Sequence, residues 1–213
     1  MKSQSLAERF YDLFVINNEA YGLEDQNGWR TVKAKLTIKE IEDHLKGKYC
    51  LGLFPFNKKG WIKWLAIDLD YKGGDLEYEY LTRKFDKNSV LIVDTGGRGT
   101  HLFVILQPTP IWQISQKINE IEDALKRRVF PKQREIKPET IGNFIRAPLG
   151  YHFHYKRWSR IVRGDIWTVK PHVTCMYRVY DQYGDGNCTY YDGSIGYCQK
   201  LQCVGFVSFA VTG

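Results

Sequence analysis

The segments WIKWLAIDLD (residues 61–70) and DTGGRGTHLFVIL (residues 94–106) decide the fold of this chain. The apolar run at residues 64–67 predicts a buried strand. Because successive side chains point to opposite faces of a strand, Asp68 and Asp70 are expected on the same face. A pair of neighbouring acidic side chains is thus predicted at the end of a buried strand.

Two more strands and one helix are predicted around this first strand. Residues 89–93 and 101–106 are strand-like, and the glycines between them permit the positive φ angles of a tight turn. A short helix with Leu76, Tyr80 and Phe85 on its buried face is predicted before the second strand. The expected arrangement is a strand–helix–strand crossover followed by a hairpin.

The two neighbouring carboxylates predict a divalent-cation site. Mg²⁺ typically binds one or two carboxylates together with phosphate oxygens of a substrate, so Asp68 and Asp70 are candidate ligands. An Asp-x-Asp pair also occurs at solvated strand ends that bind no metal. The pair alone does not decide between these alternatives.

The glycine-rich turn predicts an anion site next to the carboxylates. Glycines allow backbone N–H groups to approach a phosphate, Arg98 adds a fork of donors, and His101 at the start of the returning strand can contact the same anion. A hairpin with a flexible tip and a packed histidine is the alternative. The combination of turn and carboxylates is more informative than either motif.

The overall composition is that of a globular protein. The chain has 213 residues, of which 43% are hydrophobic, enough for one large domain or two small ones. There is no run of about 18 uncharged apolar residues, and the first residues lack the apolar stretch of a signal peptide. We therefore expect a cytoplasmic protein with no membrane partner.

Positive charge is concentrated in residues 126–163. This segment contains eleven Lys and Arg residues against the acidic Glu135 and Glu139, whereas the whole chain has a net charge of +7. A basic segment with interleaved aromatic residues suits a phosphate backbone with stacked bases. An ordinary basic surface over an aromatic core is the alternative. The aromatic residues are Phe130, Phe144, Tyr151, Phe153, Tyr155 and Trp158.

The five cysteines do not define a site by their spacing. Cys50 lies in an apolar, strand-like stretch, where a buried thiol is ordinary. The other four, Cys175, Cys188, Cys198 and Cys203, lie close together near His172 but lack the paired C-x-x-C spacing of common zinc sites. Zinc binding, disulfides and unlinked thiols all remain open.

Further elements are predicted from apolar spacing and capping signals. A capping box at residues 37–40 begins a helix on which His44 is expected to be solvated. Residues 50–56 predict a strand that forms a hairpin with the Asp-bearing strand, residues 129–133 predict another strand, and Thr109 with Pro110 predicts a helix start. The residues expected on buried helix faces are Leu6, Phe10, Leu13 and Phe14, then Ile38, Ile41 and Leu45, then Ile114, Ile118, Ile121 and Leu125.

The sequence resembles the catalytic domain of the archaeo-eukaryotic primase superfamily, in particular the primase-polymerase group found beside phage, CRISPR and other mobile-element defence genes. The resemblance rests on segments that follow one another in the same order as in the family. They are residues 44–55 with 64–71, 94–102, 129–133 and 141–150. The resemblance implies an α/β (α+β) fold with an RNA-recognition-motif-like antiparallel sheet flanked by helices and an N-terminal αβ module. It suggests a catalytic core at residues 1–165 and a Cys-rich C-terminal extension, without an assigned role, at residues 166–213.

The function implied by this resemblance is template-directed nucleotidyl transfer, as in a DNA primase or polymerase. Two Mg²⁺ or Mn²⁺ ions would be the cofactors, and the partners would be a DNA or RNA template, a primer and NTP or dNTP, with a helicase or nuclease as a further partner. Asp68, Asp70 and His101 would be catalytic, with the two aspartates binding metal. Nucleotide-binding positions would be Thr95, Arg98, His101, Lys132 and Arg146.

One departure from the family pattern affects this reading. Family members usually carry a third carboxylate just before the segment at residues 130–133, where this chain has Arg127 and Arg128. Glu135 is the nearest acidic replacement. Its side chain lies on the same strand face as that of Gln133 only if the strand at 129–133 continues. A catalytically degenerate single-stranded nucleic-acid-binding module is therefore a second hypothesis, and a metal-dependent nuclease is a third.

Overall fold

The computed structural model describes residues 3–133 and 142–174, together with the backbone of two short strands at residues 178–180 and 186–188. The chain divides into two compact units, residues 1–174 and residues 175–213. Among the described residues, no helix has the length and apolar character needed to cross a bilayer.

The described residues contain four α-helices and thirteen short or medium strands. The helices are α1 (Leu6–Phe14), α2 (Ile38–Leu45), α3 (Asp75–Lys84) and α4 (Ile111–Leu125). The strands of the first unit are β1 (Tyr21–Asp25), β2 (Gly28–Val32), β3 (Cys50–Leu53), β4 (Trp61–Leu69), β5 (Val90–Asp94), β6 (Thr100–Pro110), β7 (Val129–Phe130), β8 (Ile145–Arg146), β9 (Tyr151–His152), β10 (Arg157–Trp158) and β11 (Arg160–Arg163). The second unit contributes an antiparallel pair, β12 (Arg178–Tyr180) and β13 (Gly186–Cys188).

A five-stranded antiparallel sheet with the order β11-β5-β6-β4-β7 forms the centre of the first unit. Strand β6 pairs with β4 on one side and β5 on the other, so β4 and β5 run parallel and α3 connects them. This is the predicted crossover followed by the predicted hairpin. In the β4–β6 register Asp68 lies opposite His101.

A second, four-stranded sheet with the order β2-β1-β3-β8 belongs, with α1 and α2, to the N-terminal module. One face of the central sheet, including Trp64 and Phe103, packs against this module, and the indole N–H of Trp64 donates to the carbonyl of Phe14 over 2.8 Å. The other face, including Ile67 and Leu102, packs against α3 and α4. The predicted fold class, a helix-flanked antiparallel sheet with an N-terminal αβ module, is confirmed.

The predicted hairpin between residues 50–56 and the Asp-bearing strand is wrong. Strand β3 pairs with β1 and β8 in the N-terminal sheet, and only an isolated bridge between Phe56 and Ile62 connects the two segments. All four residues of β3 are buried, so its pairing is decided by long-range packing rather than by the short turn that follows it.

Three helices also differ from the prediction, one in its start and two in their buried faces. Thr109 and Pro110 are the last residues of β6, and the Thr109 hydroxyl donates to the carbonyl of Gln107 instead of capping α4. On α3, Leu76 is 79% exposed, while Tyr78 and Leu81 are buried. Leu6 of α1 is also exposed. Of the apolar stripe predicted for α4, Ile114, Ile118 and Ile121 are buried and Leu125 is partly buried, and Ile111 is buried as well.

His44 is fully buried, in contrast to the solvated position predicted for it. Its Nε2 lies 2.8 Å from the carbonyl oxygen of Pro148, and its Nδ1 accepts the N–H of Leu51 over 3.1 Å. Burial lowers the pKa of His44 to about 4, which keeps the ring neutral at pH 7. The imidazole thus joins α2 to β3 and to the chain after β8. The capping box at the start of α2 is present as predicted.

Candidate active site

An open cavity of about 200 Å³ lies where the end of β4 meets the β5–β6 turn. Residues from the central sheet, from β8 and from the chain between β9 and β10 form its walls. They are Asp68, Leu69, Asp70, Thr95, Gly97, Arg98, Gly99, His101, Arg146, His152 and Tyr155. Six residues that the sequence analysis chose as candidates therefore line one cavity: Asp68, Asp70, Thr95, Arg98, His101 and Arg146.

Asp68 is held next to His101 by strand pairing. Nε2 of His101 lies 3.2 Å from Oδ1 of Asp68, and the His101 side chain is only 8% exposed. The hydrogen bond from His101 lowers the pKa of Asp68, although burial acts in the opposite direction. Asp68 is consequently anionic at neutral pH and retains oxygen lone pairs for a cation.

Asp70 follows directly after β4 and is exposed at the cavity wall. Leu69 between the two aspartates is buried, as the strand alternation predicted. Within the described residues, Asp70 has no hydrogen-bond or ion-pair partner. The two carboxylates therefore project toward the same cavity with one of them uncompensated.

The turn between β5 and β6 is stabilised by its own side chains. The Thr95 hydroxyl donates to the carbonyl of Gly99 over 2.9 Å and accepts the N–H of Gly97 over 3.2 Å. Asp94 accepts the N–H of Gly96 over 2.8 Å and pairs with Lys72. The hydroxyl of Thr95, which the family resemblance implied for phosphate contact, is thus engaged in shaping the turn.

Main-chain donors at the tip of this turn are available to a ligand. In the described part of the chain, the N–H groups of Arg98 and Gly99 have no hydrogen-bond partner, and the exposed Arg98 guanidinium has none either. A Cβ at residue 99 would lie 2.3 Å from the carbonyl oxygen of Leu69, so glycine lets the turn contact the Asp-bearing strand. Unpartnered backbone N–H groups next to a guanidinium form an anion-binding concavity.

Arg146 lies at the cavity wall, but its charge is already compensated. Its guanidinium donates to both carboxylate oxygens of Glu24, over 2.5 and 3.0 Å, and stacks 4.8 Å from the ring centroid of Trp29. Burial tends to lower the pKa of Arg146, but hydrogen bonding to Glu24 raises it overall. The pairing with Glu24 was missed because the two residues are 122 positions apart in sequence.

Lys132, the remaining nucleotide-binding candidate among the described residues, does not line the cavity. The Nζ atom of Lys132 is 4.7 Å from the ring centroid of Phe130, and its charge makes only a minor contribution to lowering the pKa of Asp68. Strand β7 ends at Phe130, so the face-sharing argument for Glu135 has no strand to support it, and Glu135 itself lies outside the described residues. The same holds for Cys175, Cys198 and Cys203 and for the side chain of Cys188.

Arg128 directly precedes β7 and is exposed. Strand β7 pairs Val129 with Ile67 and Phe130 with Ala66 at the edge of the central sheet. The described residues contain no group of three acidic, His or Cys side chains arranged to hold a metal. The two aspartates are therefore the acidic pair that the described chain offers to a cation at this cavity.

Two cavity residues, His152 and Tyr155, were not singled out by the sequence for this site. They lie on the β9–β10 hairpin, within the basic segment, and their rings pack 4.9 Å apart. Nδ1 of His152 is buried without a hydrogen-bond partner among the described residues, and burial lowers the pKa of His152 to about 4. The sequence feature that could have indicated these two residues is the run of His, Tyr and Phe at residues 151–155.

Comparison with known proteins finds a matching family model and similar solved structures. A family model described as the archaeo-eukaryotic primase domain of the TOTE conflict system matches residues 17–179. Two solved structures show a likeness at 11% identity and a TM-score of 0.47: the archaeo-eukaryotic primase domain of the cyanophage S-2L primase-polymerase, with 72% of this chain and 90% of that chain covered, and the primase RepB′, with 80% and 58% covered. No curated protein matches the sequence.

Proposed function

Because this chain belongs to the archaeo-eukaryotic primase domain family of TOTE conflict systems, we propose that it is a nucleotidyltransferase that adds NTPs or dNTPs to a nucleic-acid strand under the direction of a template. The superfamily resemblance drawn from the sequence is confirmed by the family match. We propose in addition which nucleotides and template it uses and which residues take part.

The observation that carries the proposal is the shared cavity of the carboxylate pair and the glycine turn. A nucleoside triphosphate needs cations for its phosphates and donors for its non-bridging oxygens, and the cavity offers both kinds of group. Asp68 and Asp70 fit a magnesium or manganese ion, because hard cations prefer carboxylate oxygens and accept phosphate oxygens as further ligands. A bound cation would neutralise charge on the triphosphate and on the departing pyrophosphate.

The other residues of the cavity have distinct roles in this proposal. His101 fixes the orientation of Asp68 through the 3.2 Å contact and lines the same wall. The N–H groups of Arg98 and Gly99 and the Arg98 guanidinium would bind phosphate oxygens. The charge of Arg146 is compensated by Glu24, so Arg146 would hold the cavity wall in place and would not offer an unpaired positive charge to the substrate.

A nucleic-acid strand is the second substrate in this proposal, and the basic segment supports it. Lys156 and Arg157 are exposed in the β9–β10 hairpin beside the cavity, and Trp158 is 49% exposed. Cationic side chains with exposed aromatic rings suit the backbone and bases of a single strand. A helicase or nuclease that acts on the same strand would be a fitting partner.

Primer extension with a labelled primed template, Mg²⁺ or Mn²⁺, and NTPs or dNTPs tests the proposal. We expect Asp68→Ala to lower incorporation by at least about a hundredfold, because positioning and charge stabilisation supply most of the rate in phosphoryl transfer. The matched control is Asp123→Ala on the exposed face of α4. Absence of product from the wild type, or equal product from the Asp68 variant, would refute the proposal.

Arg127 and Arg128, which stand where family members usually carry a third carboxylate, favour a second candidate, a catalytically degenerate module that binds single-stranded nucleic acid. Arginine does not ligate a cation, so a site without a replacement acid would hold its metal ions less firmly. This candidate predicts strand binding without incorporation in the same assay. Incorporation that depends on Asp68 would rule it out.

A further inference from the structure

The β9–β10 hairpin, which lies in the basic segment at residues 126–163, forms one wall of the cavity. His152 ends β9, Tyr155 lies in the connecting turn, and both line the cavity with the carboxylates and the glycine turn. The side chain of Tyr155 is 37% exposed, and its hydroxyl has no hydrogen-bond partner within the described residues. This wall therefore presents an available phenol to the cavity.

Close packing fixes the order of groups along the glycine turn. At one end, a Cβ on Gly99 would lie 2.3 Å from the carbonyl oxygen of Leu69, next to the aspartates. At the other end, a Cβ on Gly97 would lie 2.8 Å from Nε2 of His152 and 3.1 Å from Cδ2 of Tyr155. Arg98 lies between these ends, so the sequence of contacts runs from the carboxylates through Arg98 to the hairpin.

The groups between the aspartates and the hairpin include hydrogen-bond donors that suit an extended anion. Two cationic side chains near the cavity, Lys72 and Arg146, already pair with Asp94 and Glu24. Arg98 and the Tyr155 hydroxyl have no such partner among the described residues. Donors without acceptors, placed beyond a carboxylate pair, match a phosphate chain whose near end is bound through a cation.

We propose that Tyr155 and His152 hold the terminal phosphate of a bound nucleoside triphosphate and so distinguish triphosphates from diphosphates. This inference rests on the proposed function, which places the reacting end of the nucleotide at Asp68 and Asp70. A phosphate chain that starts there and follows the N–H groups of Gly99 and Arg98 reaches Gly97, where the hairpin is in contact with the turn. The hairpin thus contacts a triphosphate but not the shorter phosphate chain of a diphosphate.

Binding of ATP and ADP in the presence of Mg²⁺, measured by titration calorimetry, tests this assignment. We expect Tyr155→Phe to weaken ATP binding about tenfold, as for one hydrogen bond to a charged group, and to change ADP binding less than twofold. His152→Gln should shift the ATP-to-ADP ratio in the same direction. Tyr151→Phe is the matched control, because Tyr151 lies on the same hairpin, packs against Phe153 and Trp158, and does not line the cavity.

Three outcomes would overturn the assignment. Equal weakening of ATP and ADP by Tyr155→Phe would show that the phenol does not read the terminal phosphate. A change in the ratio of ATP to dATP binding, with the ATP-to-ADP ratio unchanged, would place the ribose at this wall. A wild type that binds neither nucleotide would also refute the proposed function, whereas Asp68-dependent incorporation with an unchanged ATP-to-ADP ratio in the Tyr155 variant would refute this inference alone.

Discussion

Glu24 and Arg146 show what a single pair of residues contributes to the site. Both side chains are largely buried, with 8% and 12% of their surface exposed, and they form a bidentate pair beside the cavity. Breaking a buried ion pair leaves one charge without compensation, which costs more than the pair itself contributes. The pair therefore matters both for stability and for the charge that the cavity presents.

We expect Glu24→Gln to lower the free energy of unfolding by about 3 kcal/mol, because Arg146 would lose its anionic partner while remaining buried. The double variant Glu24→Gln with Arg146→Met should recover part of this loss, since it removes the uncompensated charge. Urea unfolding of the single and double variants measures both effects. Additive losses from the two substitutions would show that the residues are not coupled.

Local sequence spacing explains which site residues were predictable. Asp68 and Asp70 share a strand face by alternation, and His101 follows a glycine turn, so these positions could be read from short segments. Glu24 enters the site through its pairing with Arg146, 122 positions away, which no local pattern encodes. Tyr155 lies in the aromatic basic segment, but its place at the cavity depends on packing against the glycine turn. The hydrogen bonds that the Thr95 hydroxyl makes within the turn could not be predicted, because spacing does not reveal which hydroxyls bond to their own turn.

At the scale of secondary-structure elements, His44 ties α2 to β3 and to the chain that follows β8. Its neutral ring fits these contacts, and its pKa in the folded protein is about 4, against an ordinary value of 6.5. The pKa is lowered on folding, so the folded state binds fewer protons than the unfolded state between these values. Stability is then full above about pH 6.5 and decreases as the pH falls toward 4.

We expect wild-type stability to fall by about 3 kcal/mol from His44 alone between pH 6.5 and pH 4. His152, whose pKa is also lowered to about 4, adds to the loss in the same pH range. In His44→Gln the dependence of unfolding free energy on pH should be flatter, whereas the exposed His154→Gln should keep the wild-type slope. Chemical unfolding at several pH values measures the slopes, and identical slopes in all three proteins would contradict the assignment.

The elements also show where sequence patterns succeed. The capping box of α2 and the apolar stripe of α4 were predictable because both are encoded within a few turns of helix. The partner of β3 was not, because a fully buried strand carries no alternation to indicate its neighbours. The end of β6 at Pro110 was missed since a Thr-Pro pair suits a strand end as well as a helix start.

At the scale of the whole molecule, excess positive charge lies in the basic segment, and exposed Lys156 and Arg157 lie in the hairpin that contributes His152 and Tyr155 to the cavity. If these residues contact the phosphates of a single strand, binding must release counterions. The affinity should then decrease with salt by a slope of about 0.7 per phosphate contact on a double-logarithmic scale.

We expect Lys156→Gln and Arg157→Gln each to reduce this salt slope by about 0.7 for a labelled single strand, measured by fluorescence anisotropy. Lys59→Gln is the control, since Lys59 is exposed before the start of β4, at the opposite end of that strand from Asp68. Equal slopes for the wild type and both hairpin variants would show that the hairpin does not contact the strand.

The N-terminal sheet closes with a strand that comes from late in the chain. Its edge strand β8 is formed by Ile145 and Arg146, which follow the four strands of the central sheet from β4 to β7. The N-terminal sheet is therefore complete only after four of the five strands of the central sheet have been synthesised. Because Arg146 of β8 lines the cavity with Asp68 and Asp70, a fragment that ends before residue 145 would lack this part of the cavity wall even with both aspartates present.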